Sequence, residues 1–364
     1  LAAIGDINDV KQELDLWTGT IRSSFTVEGE QVKVTTLAHQ ELDAVAFRIE
    51  SALLSKGRIA LRIRFPMPNG QWKDVGSNWK NEEQHQSILH HNKYETWIER
   101  RIDTTRYFLR LHWSGNPAVL SKEPHYFLVQ PEPGKNIFEC SSYFSPKNPL
   151  TTLIDFSKAR SSSERAWRNF WMSGGAIDFS AAKDPRAFEI ERRAILSQYL
   201  TKIQCSSAYP PQETGLTYNS WYGKPHLEMH WWHAVHFAQW GRTELMEKSL
   251  DWYFTVATKA YALAKRQGFD GLRWQKMTDH NGDEAPSSVG AFLIWQQPHF
   301  IYMAELLYRA KPGKAVLNKY KDLLFATADF MASFPAYDSV TGKYKLGKGL
   351  IPAQEPEQFD QIAA

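Results

Sequence analysis

Cysteine is scarce: Cys140 and Cys205 are the only two in a chain of 364 residues. They have no metal-ligand spacing and are either free thiols or one disulfide. No apolar run reaches transmembrane length and no signal-peptide pattern opens the chain, so no membrane partner is expected. Excess charge is lacking too. Lys and Arg total 43 against 40 Asp and Glu, a net charge of +3, and the basic residues are dispersed, which argues against a nucleic-acid partner. No close repeat and no low-complexity tract is present. The compartment stays open, with a periplasmic or secreted location favoured, and so does the oligomeric state.

Against these absences stand ordinary globular usage, 43% hydrophobic and 23% charged, and a length sufficient for two domains with sizeable cores. The aromatic content is unusual, with 14 Trp, 15 Tyr and 20 Phe. Trp is costly to bury unless its indole N–H finds a partner, so an excess divides between core packing and a binding surface. The densest segment, residues 219–237, reads NSWYGKPHLEMHWWHAVHF and holds Trp221, Tyr222, Glu228, Trp231, Trp232 and the histidines 226, 230, 233 and 236. Aromatic faces with a few convergent polar groups are what an oriented polar ligand requires, and the residue types suit a carbohydrate. His226 and His230 lie four apart on one helical face. HLEMH nevertheless lacks the His-Glu-x-x-His order of zinc hydrolases, so neither metal nor cofactor is expected, and some imidazoles belong to the core.

Residues 1–145 read as a β-sandwich. SSFTVEGEQVKVTTLAH and DAVAFRIESALL alternate apolar and polar residues, with a turn at Glu28-Gly29-Glu30; Asn69-Gly70 gives a hairpin signal, and RYFLRLHWSG and HYFLVQPE add strands. Residues 146–180 read as a linker and first helix, the latter at 163–172. Residues 181–364 read as part of an (α/α) toroid. Asp184-Pro185 starts a helix with Phe188, Ile195, Leu196, Tyr199, Leu200 and Ile203 on one apolar face. A second, over 244–267, carries Leu250, Tyr253, Ala257, Ala260 and Ala264 and closes at Gly268. Further helices are expected at 226–240, 287–310 (kinked at Pro298) and 314–333, with loops over 268–287 and the last thirty residues.

Four segments carry a resemblance: LDLWTGTIRSSF (14–25), HLEMHWW (226–232), GLRWQKMTDHNGDEAP (271–286) and LIPAQEPEQF (350–359). In order and spacing they resemble the six-hairpin glycosidases, especially glycoside hydrolase family 65 and more distantly family 95. His226 stands where family 65 has the Asp of a Trp-Asp pair, and Gln275 departs near a Pro-Trp step. The resemblance implies a β-sandwich followed by a six-hairpin toroid, and a glycoside hydrolase, inverting, acting on an α-linked glycoside or oligosaccharide. Glu355, in a Pro-flanked loop, falls at the general-acid position, with Glu357 its local competitor. His226, Glu228 and Trp231 fall at the first sugar subsite, with Trp221 and Tyr222 beside them. Arg273 and Trp274 are a cation and a platform; Gln297 reaches hydroxyls or repairs helix hydrogen bonds at Pro298. Disaccharide phosphorolysis and non-catalytic carbohydrate binding are the alternatives. The chain holds about half the helices a closed toroid needs and offers no base, so the sequence reads as a fragment of a longer enzyme.

Overall fold

The computed structural model describes residues 4–91, 96–148, 154–285 and 293–346. By contacts the chain forms two compact units: Leu1–Asn69 with Gly76–Met172, and Gly70–Val75 with Ser173–Ala364.

The first unit contains β1 (Asn8–Asp15), β2 (Thr20–Val27), β3 (Glu30–Ala38), β4 (Ala44–Glu50), a one-turn helix α1 (Ala52–Ser55), β5 (Leu61–Arg64), β6 (His85–His91), β7 (Thr96–Ile102), β8 (Thr105–Trp113), β9 (Ala118–Glu123), β10 (Tyr126–Gln130), β11 (Ile137–Ser145) and α2 (Phe156–Met172). An eight-stranded antiparallel sheet runs β1-β2-β3-β4-β11-β8-β7-β6, and a three-stranded sheet runs β5-β10-β9. Strand alternation explains the layering. On β4, Phe47 and Ile49 join Leu109, Leu111, Phe127, Val129, Phe138 and Cys140 between the two sheets. Ala44 and Ala46, one residue out of phase, pack with Leu37, Phe156 and Ala159 beneath α2. The sandwich read from the sequence is therefore present, and α2 belongs to its unit. Helix α2 begins earlier than residue 163 because Asp155 Oδ1 accepts the Lys158 N–H at 2.7 Å, capping its first turn.

The Glu28-Gly29 turn joins β2 to β3 with both residues at positive φ (51° and 74°), the geometry of a tight hairpin. Asn69-Gly70 makes no hairpin. No strand follows it until β6, and Gly70–Val75 lies with the second unit instead. A turn signal fixes a bend; pairing needs a second alternating run, which QWKDV does not supply.

The second unit comprises α3 (Arg186–Cys205), α4 (Leu227–Gln239), α5 (Thr243–Arg266), α6 (Gln297–Ala310), α7 (Lys314–Ser333) and a hairpin of β12 (Ala336–Asp338) and β13 (Lys343–Lys345). That hairpin falls in the stretch read as loop. Leu250, Tyr253 and Ala260 of α5 pack with Phe237, Phe300, Met303, Leu307 and Tyr320 in one core, so the helical periodicity read over 244–267 is the buried face. On α3, Asp184 Oδ1 accepts the Arg186 N–H at 2.9 Å, but Phe188 and Leu200 of the expected apolar face are exposed. Pro298 does not kink a helix. It stands in the first turn of α6, where its missing N–H costs no hydrogen bond; residues 286–292 lie outside the described set.

Between α5 and α6 the chain threads past two helices. Leu272 N donates to Ala326 O of α7 (2.8 Å), and Arg273 N to Ala260 O of α5 (3.2 Å). Gly271 makes this possible: at φ +67°, a Cβ would lie 2.0 Å from Ala326 O and 2.7 Å from Phe330 N, both backbone atoms that cannot swing aside. Gly271→Ala is expected to destabilise the second unit by about 2–4 kcal/mol, combining left-handed strain with overpacking. Urea denaturation checks this; a loss below ~0.5 kcal/mol means the segment relaxes freely.

Candidate functional site

The first N–H groups of a helix need acceptors, and His226, at the N-cap of α4, makes no side-chain cap. The acceptor is the Lys276 carbonyl, which receives Leu227 N at 2.8 Å and Glu228 N at 3.4 Å. His226 also forms a bridge with Met277, and Thr278 N donates to Pro225 O at 3.1 Å. This docking sets the Lys276 ammonium 3.1 Å from Glu228 Oε2, with His226 Nε2 at 3.8 Å from the same oxygen. All three residues are buried: Glu228 is 0% and Lys276 and His226 are 1% exposed.

In front of this cluster lies a pocket of about 300 Å³, lined by Trp72, Lys73, Glu213, Thr214, Tyr218, Ser220, Trp221 and Lys276. The Trp72 and Trp221 rings meet edge to face at 5.4 Å, and the Lys276 ammonium sits 4.9 Å from the Trp221 ring centre. The pocket wall is strained. Trp221 (φ 48°) and Tyr222 (φ 62°) are consecutive bulky residues in the left-handed region, a conformation that persists only where the surroundings over-determine it. Here Tyr222 N donates to Trp72 O (3.2 Å), Gly223 N to Ser220 O (2.9 Å), and Asn219 Nδ2 to Asp74 O (3.1 Å). Glu213 is positioned through its carbonyl, which accepts from His233 Nε2 at 2.9 Å. Thr214 and Ser220 join hydroxyls at 2.9 Å.

Of the substrate-contacting residues read from the sequence, Trp221 lines this pocket, while His226 and Glu228 lie by Lys276. Tyr222 is exposed beside Lys224, whose Nζ is 4.7 Å from the ring centre. The others are placed in packing. Trp274 is buried, its indole N–H donating to Thr327 Oγ1 at 2.9 Å, and its ring lies edge-on to Tyr253 at 4.8 Å. Gln297 Oε1 accepts from Trp274 N at 3.3 Å, with Gln296 Nε2 reaching the Trp274 carbonyl at 3.0 Å. Arg273 bonds Gln267 and lies over the Phe330 ring. Trp231 packs against Trp232, His299 and Tyr302. Glu355 and Glu357 lie outside the described residues. Both cysteines are buried free thiols.

The histidines of α4 are structural and neutral. Ser249 donates its single hydroxyl proton to Met246 O (2.9 Å), so at 2.8 Å it accepts from His230 Nε2–H, leaving His230 Nδ1 to accept from the Tyr253 hydroxyl at 3.0 Å. Burial lowers the pKa of His230 to about 3 and those of His233 and His236 to about 4. An unfolded histidine titrates near ~6.5, so between pH 6.5 and 4 the unfolded chain binds the more protons. The stability these groups contribute is complete above pH 6.5 and is lost as pH falls, at up to about 1.4 kcal/mol per unit for each group. Thermal midpoints measured from pH 7.5 to 4.5 are expected to fall continuously below 6.5; a flat profile would show these imidazoles accept protons in place.

Sequence reasoning assigned no role to Trp72, Lys73, Glu213, Thr214, Tyr218, Ser220 or Lys276. One signal was available: Trp72 and Lys73 follow Asn69-Gly70 in a stretch that does not alternate.

No protein-family model matches the sequence, and no curated protein matches it. The fold does have a solved counterpart. A protein assigned as a kojibiose phosphorylase, from human microbiome, superposes with TM-score 0.72 at 12% identity, over 95% of this chain and 49% of its own. A bacterial glucoamylase complexed with acarbose gives 0.46 at 11% identity over 89% and 50%. A family GH92 α-mannosidase from Bacteroides thetaiotaomicron gives 0.32 at 7% over 83% and 41%. The first likeness establishes the fold: a β-sandwich followed by part of a helical toroid. The chain spans about half the length of that structure.

Proposed function

We propose that the protein is a carbohydrate-active enzyme that hydrolyses an α-linked glycoside with inversion, Glu355 acting as general acid. The observation that carries the reading is the pocket itself. Trp72, Trp221 and Tyr218 supply faces for a pyranose ring, while Glu213, Lys276, Thr214 and Ser220 supply both acceptors and donors for its hydroxyls. Inversion calls for an acid above the glycosidic oxygen and a base opposite, roughly 6.5–9.5 Å from it, with a water between. The resemblance of LIPAQEPEQF to a general-acid loop supports Glu355 for the first role. The proposed domain limits, 1–145, 146–180 and 181–364, assign that loop to the toroid. Phosphorolysis is the near alternative, supported by the likeness to a protein assigned as a phosphorylase.

The test is a screen of the intact enzyme against disaccharides and aryl glycosides, with and without inorganic phosphate, reading the released anomer by proton NMR. Cleavage of an α-glycoside with a β-configured product and no need of phosphate is expected. Turnover only with phosphate selects phosphorolysis; neither cleavage nor saccharide binding sinks the proposal.

A further inference from the structure

We infer that Lys276 is the hydroxyl-gripping cation of the pocket, and that its pairing with Glu228 restricts the ligand to an uncharged saccharide rather than a uronic acid or sugar phosphate. The inference rests on the carbohydrate reading above and names the substrate class of that site. An ammonium has three N–H donors and is strongly hydrated in water. That of Lys276 is buried, forms an ion pair with Glu228 Oε2 at 3.1 Å, and lies over the ring of Trp221, a pocket wall. Lys276 also lines the pocket, so a ligand oxygen can take a remaining donor.

The charge balance then decides what kind of oxygen that is. Glu228, fully buried, already compensates Lys276, and the other charged lining residues, Lys73 and Glu213, are one of each sign. An anionic ligand would add an uncompensated charge near two carboxylates in a partly desolvated site, where such a charge is costly. A neutral polyol meets no such penalty. Its oxygens accept from Lys276, its hydroxyl protons go to Glu213, and its C–H face lies on the indoles. Lys276 stands within the 271–286 segment without a role assigned by the resemblance, and Glu228 acts on the ligand through it, as a positioning residue.

The test is equilibrium binding of the intact protein, read by calorimetry, to neutral oligosaccharides, to uronic-acid and 6-phosphate analogues of the same backbone, and to a monodeoxy series. Wild type is expected to prefer neutral ligands at least tenfold and to lose about tenfold or more for one deoxy position. Glu228→Met with Lys276→Met, which removes the pair and leaves no buried charge, should retain near-UV circular dichroism. It should bind neutral saccharides roughly 10- to 100-fold more weakly, a charge-assisted hydrogen bond being lost, and should no longer sense the deoxy position. Should that variant fail to fold, Lys276→Arg keeps the ion pair and must alter the deoxy profile. Equal or tighter binding of the charged analogues, unchanged neutral binding in the folded double variant, or an unchanged deoxy profile in Lys276→Arg overturns the inference. Binding of no saccharide by wild type overturns the carbohydrate reading itself, so the two failures are distinct.

Discussion

Glu355→Gln in the intact enzyme is expected to lower turnover of disaccharides by roughly 10²–10⁴-fold, the typical contribution of a positioned acid, with saccharide affinity nearly unchanged. The amide preserves the size and most hydrogen bonds of the carboxyl group but has no proton to give the leaving oxygen. Substrates differ in how much they need that proton. An unactivated sugar leaves as an alkoxide unless protonated, whereas a nitrophenolate is stable alone, so activated aryl glycosides should recover much of the lost rate. The role of Glu355 is a proposal from its Pro-flanked loop, LIPAQEPEQF. It is checked by comparing kcat on maltose-type and nitrophenyl substrates for wild type and variant. A uniform loss on both classes would point to a damaged site, and a loss under tenfold would move the acid elsewhere, Glu357 being next to hand.

Glu228→Leu carries the largest expected effect on stability, about 3–5 kcal/mol. The carboxylate is inaccessible to water and faces the Lys276 ammonium at 3.1 Å. Removing it leaves a buried cation with no carboxylate partner among the described residues, only the Trp221 ring at 4.9 Å. The companion substitution of both residues by Met should restore most of the loss, because no charge then remains inside. Guanidinium titrations of the two variants check this. Equal destabilisation in both would mean packing volume, rather than charge, is what the pair contributes.

Much of the fold was legible because its signals are local. The β2–β3 hairpin announces itself by alternation on both sides of Glu28-Gly29, and α5 by the spacing of Leu250, Tyr253 and Ala260. The site was less so, because its members are joined by contacts that periodicity does not encode. Lys276 carries no periodic signal in its loop; only Glu228, on a separate helix, makes it an interior cation. Trp274 reads as a sugar platform until Thr327, on α7, is found holding its indole N–H. Pro298 reads as a kink because the sequence does not mark Gln297 as the first residue of α6. The dense 219–237 segment was identified as important, but its residues divide between pocket wall and core according to partners elsewhere in the chain.

Gly70–Val75 has a practical consequence for dissecting this protein. These residues are encoded between two strands of the sandwich, yet they carry Trp72 and Lys73 into the pocket and brace the left-handed turn at Trp221 and Tyr222. A cut after Met172, the natural place to separate the two halves for expression, would sever the gene where the polypeptide is not modular. The helical half made that way would lack an aromatic wall and the main-chain acceptors that hold the opposite one. Swapping sandwiches between relatives would likewise exchange part of the pocket wall along with the scaffold.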